Sequence, residues 1–134
     1  MERELLSTLE QIIPTSATFA IGNDLVFVPG FQPSLNELFI KKVYTPNEVA
    51  YCESFSNPLL RYASTWAAKE AVYKALKQLF PHPVGWKSIE ISRKKAAGQP
   101  HVIIHAYPQQ FTTSLTISHD GDYVWAAALM HVNS

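Results

Sequence analysis

Asn57-Pro58 opens a helical pattern that runs without interruption to about Phe80, where Pro81 and Pro83 stop it. Ala68, Val72, Ala75, Leu76 and Leu79 fall on one side of this helix, and Glu70, Lys74 and Lys77 on the other. Before it lie one strand-like stretch and shorter helical signals. After it come strands at Trp86–Ile91, His101–Tyr107, Ser114–Ser118 and Tyr123–Val132, with turns at Gly98-Gln-Pro100 and Asp120-Gly121. Adjacent strands without helices between them argue against a wound parallel sheet. The expected fold is α+β, a small single domain with an antiparallel sheet packed against helices.

The remaining segments fill in this outline. Leu5, Leu6, Leu9, Ile12 and Ile13 recur at helical spacing before Pro14, so residues 1–17 read as a short amphipathic N-terminal extension. Thr18–Val28 is rich in β-formers, but Gly22 and Asp24 predict a strand interrupted at its centre. Ser34 with Glu37, and Thr45-Pro46 with Glu48, read as two capping boxes that open short helices.

With 134 residues the chain suffices for one domain. Eleven basic and eleven acidic residues cancel, which argues against nucleic acid or a membrane surface as partner. Cys52 is the only cysteine, so neither an internal disulfide nor a Cys-rich zinc site is available. No apolar run approaches the roughly 18 residues that span a bilayer. Glu2, Arg3 and Glu4 make a poor signal peptide, and the expected location is cytoplasmic. The zero net charge hides an asymmetry: Arg61–Lys95 holds eight basic residues against Glu70 and Glu90, a balance of +6, and the rest of the chain carries −6.

Few residues stand out chemically. Asp24 sits inside an apolar strand, where a carboxylate is costly unless it is paired, exposed or bound to a cation. Glu70 and Lys74 form an i, i+4 pair, which on an exposed helix contributes only about 0.2–0.5 kcal/mol. The same helix face would serve catalysis if a second carboxylate reached it, because two oxygen ligands plus phosphates and water suit Mg²⁺. Ser118 and His119 end a strand beside a tight turn, where a histidine is ordinarily a turn residue. The five histidines show no zinc-ligand spacing, and no glycine-rich phosphate loop is present. Tyr51, Tyr62 and Trp66 near Arg61 fit either core packing or stacking on an aromatic ligand.

Together these pieces resemble the 4′-phosphopantetheinyl transferases of the holo-acyl-carrier-protein synthase type. Three ordered blocks carry the resemblance: Ile21-Gly-Asn-Asp-Leu-Val26, Trp66-Ala-Ala-Lys-Glu-Ala-Val-Tyr-Lys-Ala75, and Leu115-Thr-Ile-Ser-His119 followed by Trp125-Ala-Ala-Ala-Leu129. Tyr44-Thr-Pro-Asn-Glu48, Ile89-Glu-Ile91 and Gly98-Gln-Pro100 agree as well, so the match covers about residues 19–130. The resemblance implies transfer of the phosphopantetheine arm of coenzyme A to a serine of an acyl carrier protein, releasing adenosine 3′,5′-bisphosphate. It implies Mg²⁺ on Asp24 and Glu70, with Glu70 and Lys74 catalytic. Lys74, Arg61, Ser118 and His119 would lie along coenzyme A. It also implies a homotrimer with sites between subunits, serving a carrier of fatty-acid, polyketide or more specialised biosynthesis.

The sequence departs from that pattern in places. Thr65 stands where many relatives have an arginine, with Arg61 one helical turn earlier. Val28-Pro-Gly-Phe31 lacks a carrier-docking arginine, leaving Lys41 and Lys42 as the nearby basic candidates. Lys77–Pro83 replaces a glycine-rich turn. A non-catalytic coenzyme A- or carrier-binding protein of the same fold is the alternative, and a structural oligomer subunit is a third. Retention of Asp24, Glu70 and Lys74 together favours the enzyme.

Overall fold

The computed structural model describes residues 18–93 and 98–134; the expected N-terminal helix, Lys94 and Lys95 lie outside them. Its centre is a three-stranded antiparallel sheet in the order β1 (Phe19–Phe27), β5 (Tyr123–Val132), β4 (Phe111–Asp120). The long helix α4 (Pro58–Leu79) lies across one face of it. Between β1 and α4 run α1 (Val28–Phe31), a 3₁₀ turn, α2 (Glu37–Val43) and α3 (Pro46–Glu53). After α4, β2 (Ile89–Ser92) and β3 (His101–Ile104) form a separate antiparallel pair. The α+β expectation holds.

Strand β1 is continuous, contrary to the expected interruption, and pairs with β5 from Phe19↔His131 to Phe27↔Tyr123. Gly22 is there for clearance. A Cβ at that position would overlap the Ala71 carbonyl oxygen of α4. Ala67, Ala71 and Ala75 on the helix and Ala126 and Ala128 on β5 are all essentially buried, so α4 settles deeply onto the sheet through small side chains. Period-2 alternation sends Ala20, Gly22, Asp24 and Val26 toward the helix. It sends Phe19, Ile21, Leu25 and Phe27 outward, where with Trp125 and Leu129 they stand exposed.

Helix ends follow local chemistry. Thr45 and Glu48 form the expected capping box: Thr45 Oγ1 accepts from Glu48 N at 3.2 Å, and Glu48 Oε1 accepts from Thr45 N at 2.9 Å. The expected box at Ser34 and Glu37 does not form. Pro33 lies in a 3₁₀ turn ending at Ser34, and Asn36 caps α2 instead by accepting from Phe39 N at 2.9 Å. Asn57 caps α4 as expected, and α4 ends before Pro81. The expected strand at Trp86 starts only at Ile89, because Trp86–Ser88 form a 3₁₀ turn that packs Trp86 on Trp66 and Tyr73. Likewise β3 ends at Ile104, leaving Tyr107 free to pack on Phe80. A two-residue loop joins β4 to β5, with Gly121 at φ +56°, the left-handed region where glycine avoids a Cβ clash. Among the described residues no helix is long and apolar enough to cross a membrane.

Candidate active site

Asp24 reaches the helix-facing side of edge strand β1 directly opposite the last half of α4. Lys74 Nζ donates to Asp24 Oδ1 at 2.9 Å and to the Asn23 carbonyl at 3.1 Å. One turn further, Gln78 Nε2 donates to the Ile21 carbonyl at 2.8 Å, so two α4 side chains satisfy the free edge of β1. The Asp24 side chain is 11% exposed and the Lys74 side chain 53%, which places a shielded carboxylate beneath an accessible ammonium.

Glu70 completes the group. Its carboxyl is pushed up to about 8, first by burial and then by the hydrogen bond and charge of Asp24, with Lys74 pulling the other way. Neighbouring carboxylates repel when both are charged, and a cation between them relieves that repulsion. Among the described residues no cluster of three or more acidic, histidine or cysteine ligands is gathered. A pair of carboxylates with open positions around it is the donor set that Mg²⁺ accepts, since that ion keeps water and phosphate ligands.

The other expected ligand contacts lie elsewhere. Arg61, Ser64, Arg93, Ser118 and His119 line a cavity of about 400 Å³. It contains none of Asp24, Glu70 or Lys74. Helix geometry explains the separation: Arg61 and Glu70 are nine residues apart, so at about 100° per residue they point roughly 180° apart, about 13 Å along the axis. Ser118 and His119 sit on alternate faces at the end of β4, paired with outward Trp125 and inward Val124, yet both line this cavity. The residues expected to hold one ligand therefore form two groups on opposite flanks of α4.

Residues 20–128 match the model of the 4′-phosphopantetheinyl transferase superfamily. The chain belongs to that superfamily. The holo-[acyl-carrier-protein] synthase of Chlorobaculum parvum is 39% identical over 113 residues, covering 82% of this chain and 96% of that protein. The synthase of Protochlamydia amoebophila is 35% identical over 119 residues, covering 84% and 97%. The Chronobacterium ammoniagenes acyl-carrier-protein synthase, solved as a coenzyme A complex, matches with a TM-score of 0.73 at 26% identity, covering 88% of this chain and all of that one.

This transferase also carries polar residues that sequence reasoning left without a role. Lys69, beside Glu70, is wholly buried; its Nζ donates to Glu48 Oε1 at 2.7 Å and to the Ile89 carbonyl at 2.5 Å. Desolvation pulls the Lys69 pKa down, and Glu48 opposes that. Glu48 Oε2 in turn accepts from Ile91 N at 2.8 Å, so one carboxylate ties α3, α4 and β2 together. The available signal was position: Lys69 lies next to Val72 and Leu76 on the apolar side of α4. Arg93 reaches back across 28 residues to Thr65, its Nη2 donating to Oγ1 at 2.6 Å. Burial tends to raise the Glu90 carboxyl, but hydrogen bonds led by His105 at 2.6 Å outweigh it and hold it below the usual range.

Proposed function

We propose that this chain transfers the 4′-phosphopantetheine arm of coenzyme A to a serine of an apo-acyl carrier protein, releasing adenosine 3′,5′-bisphosphate. The grouping of Asp24, Glu70 and Lys74 carries the proposal, and synthase relatives that this chain matches over nearly their whole length support it. The coenzyme A complex of the Chronobacterium relative supports coenzyme A as the donor.

In this mechanism the carrier's serine Oγ attacks the β-phosphorus of coenzyme A. The bond from that phosphorus to the bridging oxygen breaks, and its electron pair leaves with adenosine 3′,5′-bisphosphate. Glu70, in its deprotonated form, takes the serine proton, directly or through one water. Lys74, which is exposed and anchored on Asp24, meets the phosphate charge. Asp24 and Glu70 would hold Mg²⁺, which when bound supplies neutralisation of the pyrophosphate oxygens. Arg61, Ser118 and His119 are assigned to the nucleotide end. Positioning and charge balance account for most of the acceleration in such transfers.

The two half-sites on opposite flanks of α4 favour a site completed between copies of the chain. The uncovered apolar face formed by Phe19, Ile21, Leu25, Phe27, Trp125 and Leu129 gives those copies a surface to meet on, and a homotrimer is the assembly assigned. The enzyme is assigned to the cytoplasm, as one transferase domain with residues 1–17 as an extension. The test is to incubate the protein with apo-carriers, coenzyme A and Mg²⁺ and weigh the carrier by mass spectrometry. A phosphopantetheine mass gain supports the activity. No gain on fatty-acid or polyketide carriers, with coenzyme A still bound, would leave a non-catalytic binding protein.

A further inference from the structure

The Arg93 guanidinium is only partly satisfied within the fold. Among the described residues its guanidinium makes one hydrogen bond, to Thr65 Oγ1, and its Nε is the one buried side-chain polar atom with no partner. No carboxylate pairs with Arg93 or with Arg61 among those residues. A buried polar atom left unsatisfied, on a group that stays charged, calls for an absent acceptor.

The two arginines are held side by side in a shaped setting. The Arg93 guanidinium lies 4.4 Å from the Tyr51 ring centroid, and that of Arg61 lies 4.0 Å from the Phe55 centroid. The two rings pack edge to face at 5.0 Å. Seating on ring faces fixes each guanidinium plane and leaves its N–H edges for other partners. Burial first, with the Arg61 charge among the further causes, lowers the Arg93 pKa. Two neighbouring cations facing one cavity of about 400 Å³ are best relieved by a doubly charged anion.

We propose that Arg93, together with Arg61, binds a phosphomonoester dianion in the cavity between α3, α4 and β4, and thereby selects nucleotides that carry one. On the transferase reading, from which only the ligand's identity is taken, that group is the 3′-phosphate of coenzyme A. Arg93 enters from the end of β2, so it reaches Thr65 without belonging to the α4 motif.

The test separates this inference from the activity. Calorimetry compares adenosine 3′,5′-bisphosphate with adenosine 5′-monophosphate on the intact protein, on Arg93→Gln and on Arg93→Lys. Wild type should favour the bisphosphate by about tenfold or more, the strength of one charge-assisted contact. Arg93→Gln should bring the ratio near one, and Arg93→Lys should restore part of it. Where Arg93→Gln fails to fold by circular dichroism, wild type and Arg61→Gln decide. Equal binding of both nucleotides by wild type, or an unchanged ratio in folded Arg93→Gln or, failing that, in Arg61→Gln, overturns the inference. Transfer to a carrier with no Arg93-dependent preference sinks this inference alone. An Arg93-dependent preference without transfer sinks only the activity.

Discussion

Lys69 Nζ sits 2.7 Å from Glu48 Oε1, and neither side chain is reached by solvent. The contact joins residues 21 apart in sequence and lies one position before Glu70. It thus fixes the rotation of α4 about its axis next to Glu70, the acid of the proposed mechanism.

Breaking this pair from one side should be severe. Lys69→Met leaves a buried Glu48 carboxylate without its cation, an imbalance typically worth about 3–5 kcal/mol. Glu48→Gln should cost at least as much, because it removes the counter-charge of Lys69 and sets an amide NH2 against a donor, either Ile91 N or Lys69 Nζ. Urea unfolding followed by circular dichroism checks the order, and a Lys69→Met protein as stable as wild type would refute the assignment.

The Glu70 shift sets a pH dependence. Its folded value near 8 lies above the ordinary 4.5, so the native state holds a proton that the unfolded chain releases between those values. Its contribution is therefore most favourable below about 4.5 and declines as pH rises toward 8. A divalent cation must displace the same proton. Mg²⁺ binding should strengthen by up to about tenfold per pH unit below pH 8 and level off above it. Thermal melts with Mg²⁺ or a chelator at pH 6.5, 7.5 and 8.5 give the comparison, and a pH-independent Mg²⁺ effect would contradict it.

Gly22 should tolerate no side chain. In Gly22→Ala the new methyl overlaps Ala71 O and presses on Ala75 N, so α4 must lift from β1. Overpacking of this kind costs about 1–3 kcal/mol. Transfer activity should fall further than stability alone explains, because the lift parts Glu70 from Asp24. Unfolding curves and carrier mass spectrometry on the same sample separate the two effects.

Self-association should depend on the outer sheet face. Leu25→Glu or Ile21→Lys places charge among exposed apolar side chains without touching the core. Light scattering should then report monomers with unchanged far-ultraviolet circular dichroism. Mixing inactive Glu70→Gln with inactive Arg61→Gln should regain part of the activity, since an interface between copies can unite one intact half-site from each. No recovery after subunit exchange would argue for a site within one chain.

Much of this was readable from local signals. Prolines marked both ends of α4, the Thr45–Glu48 box formed as spelled, and helical spacing put Glu70 and Lys74 on one face; that Asp24 lies across from them was implied only by the family resemblance. Even the opposition of Arg61 and Glu70 follows from counting nine residues around a helix. What escaped needed distant partners. Gly22 and Asp24 resembled a break in β1 because their reasons lie 49 and 50 positions away, at Ala71 and Lys74. Arg93 looked like one basic residue among several until Thr65 and Tyr51 fixed its place. Lys69 belonged to the segment of excess positive charge, yet its charge is spent internally on Glu48.

The small residues beneath α4 act as a shim. Ala67, Ala71 and Ala75 above and Gly22 below set how deep the helix sits, and that depth sets the gap between a carboxylate on the strand and one on the helix. Ion size is sensed through such a gap: Mg²⁺ needs oxygens near 2.1 Å in strict octahedral array, whereas Ca²⁺ accepts roughly 2.3–2.6 Å and looser geometry. On the proposed metal role, the thickness of that alanine layer would be a dial on which cation the two acids can grip.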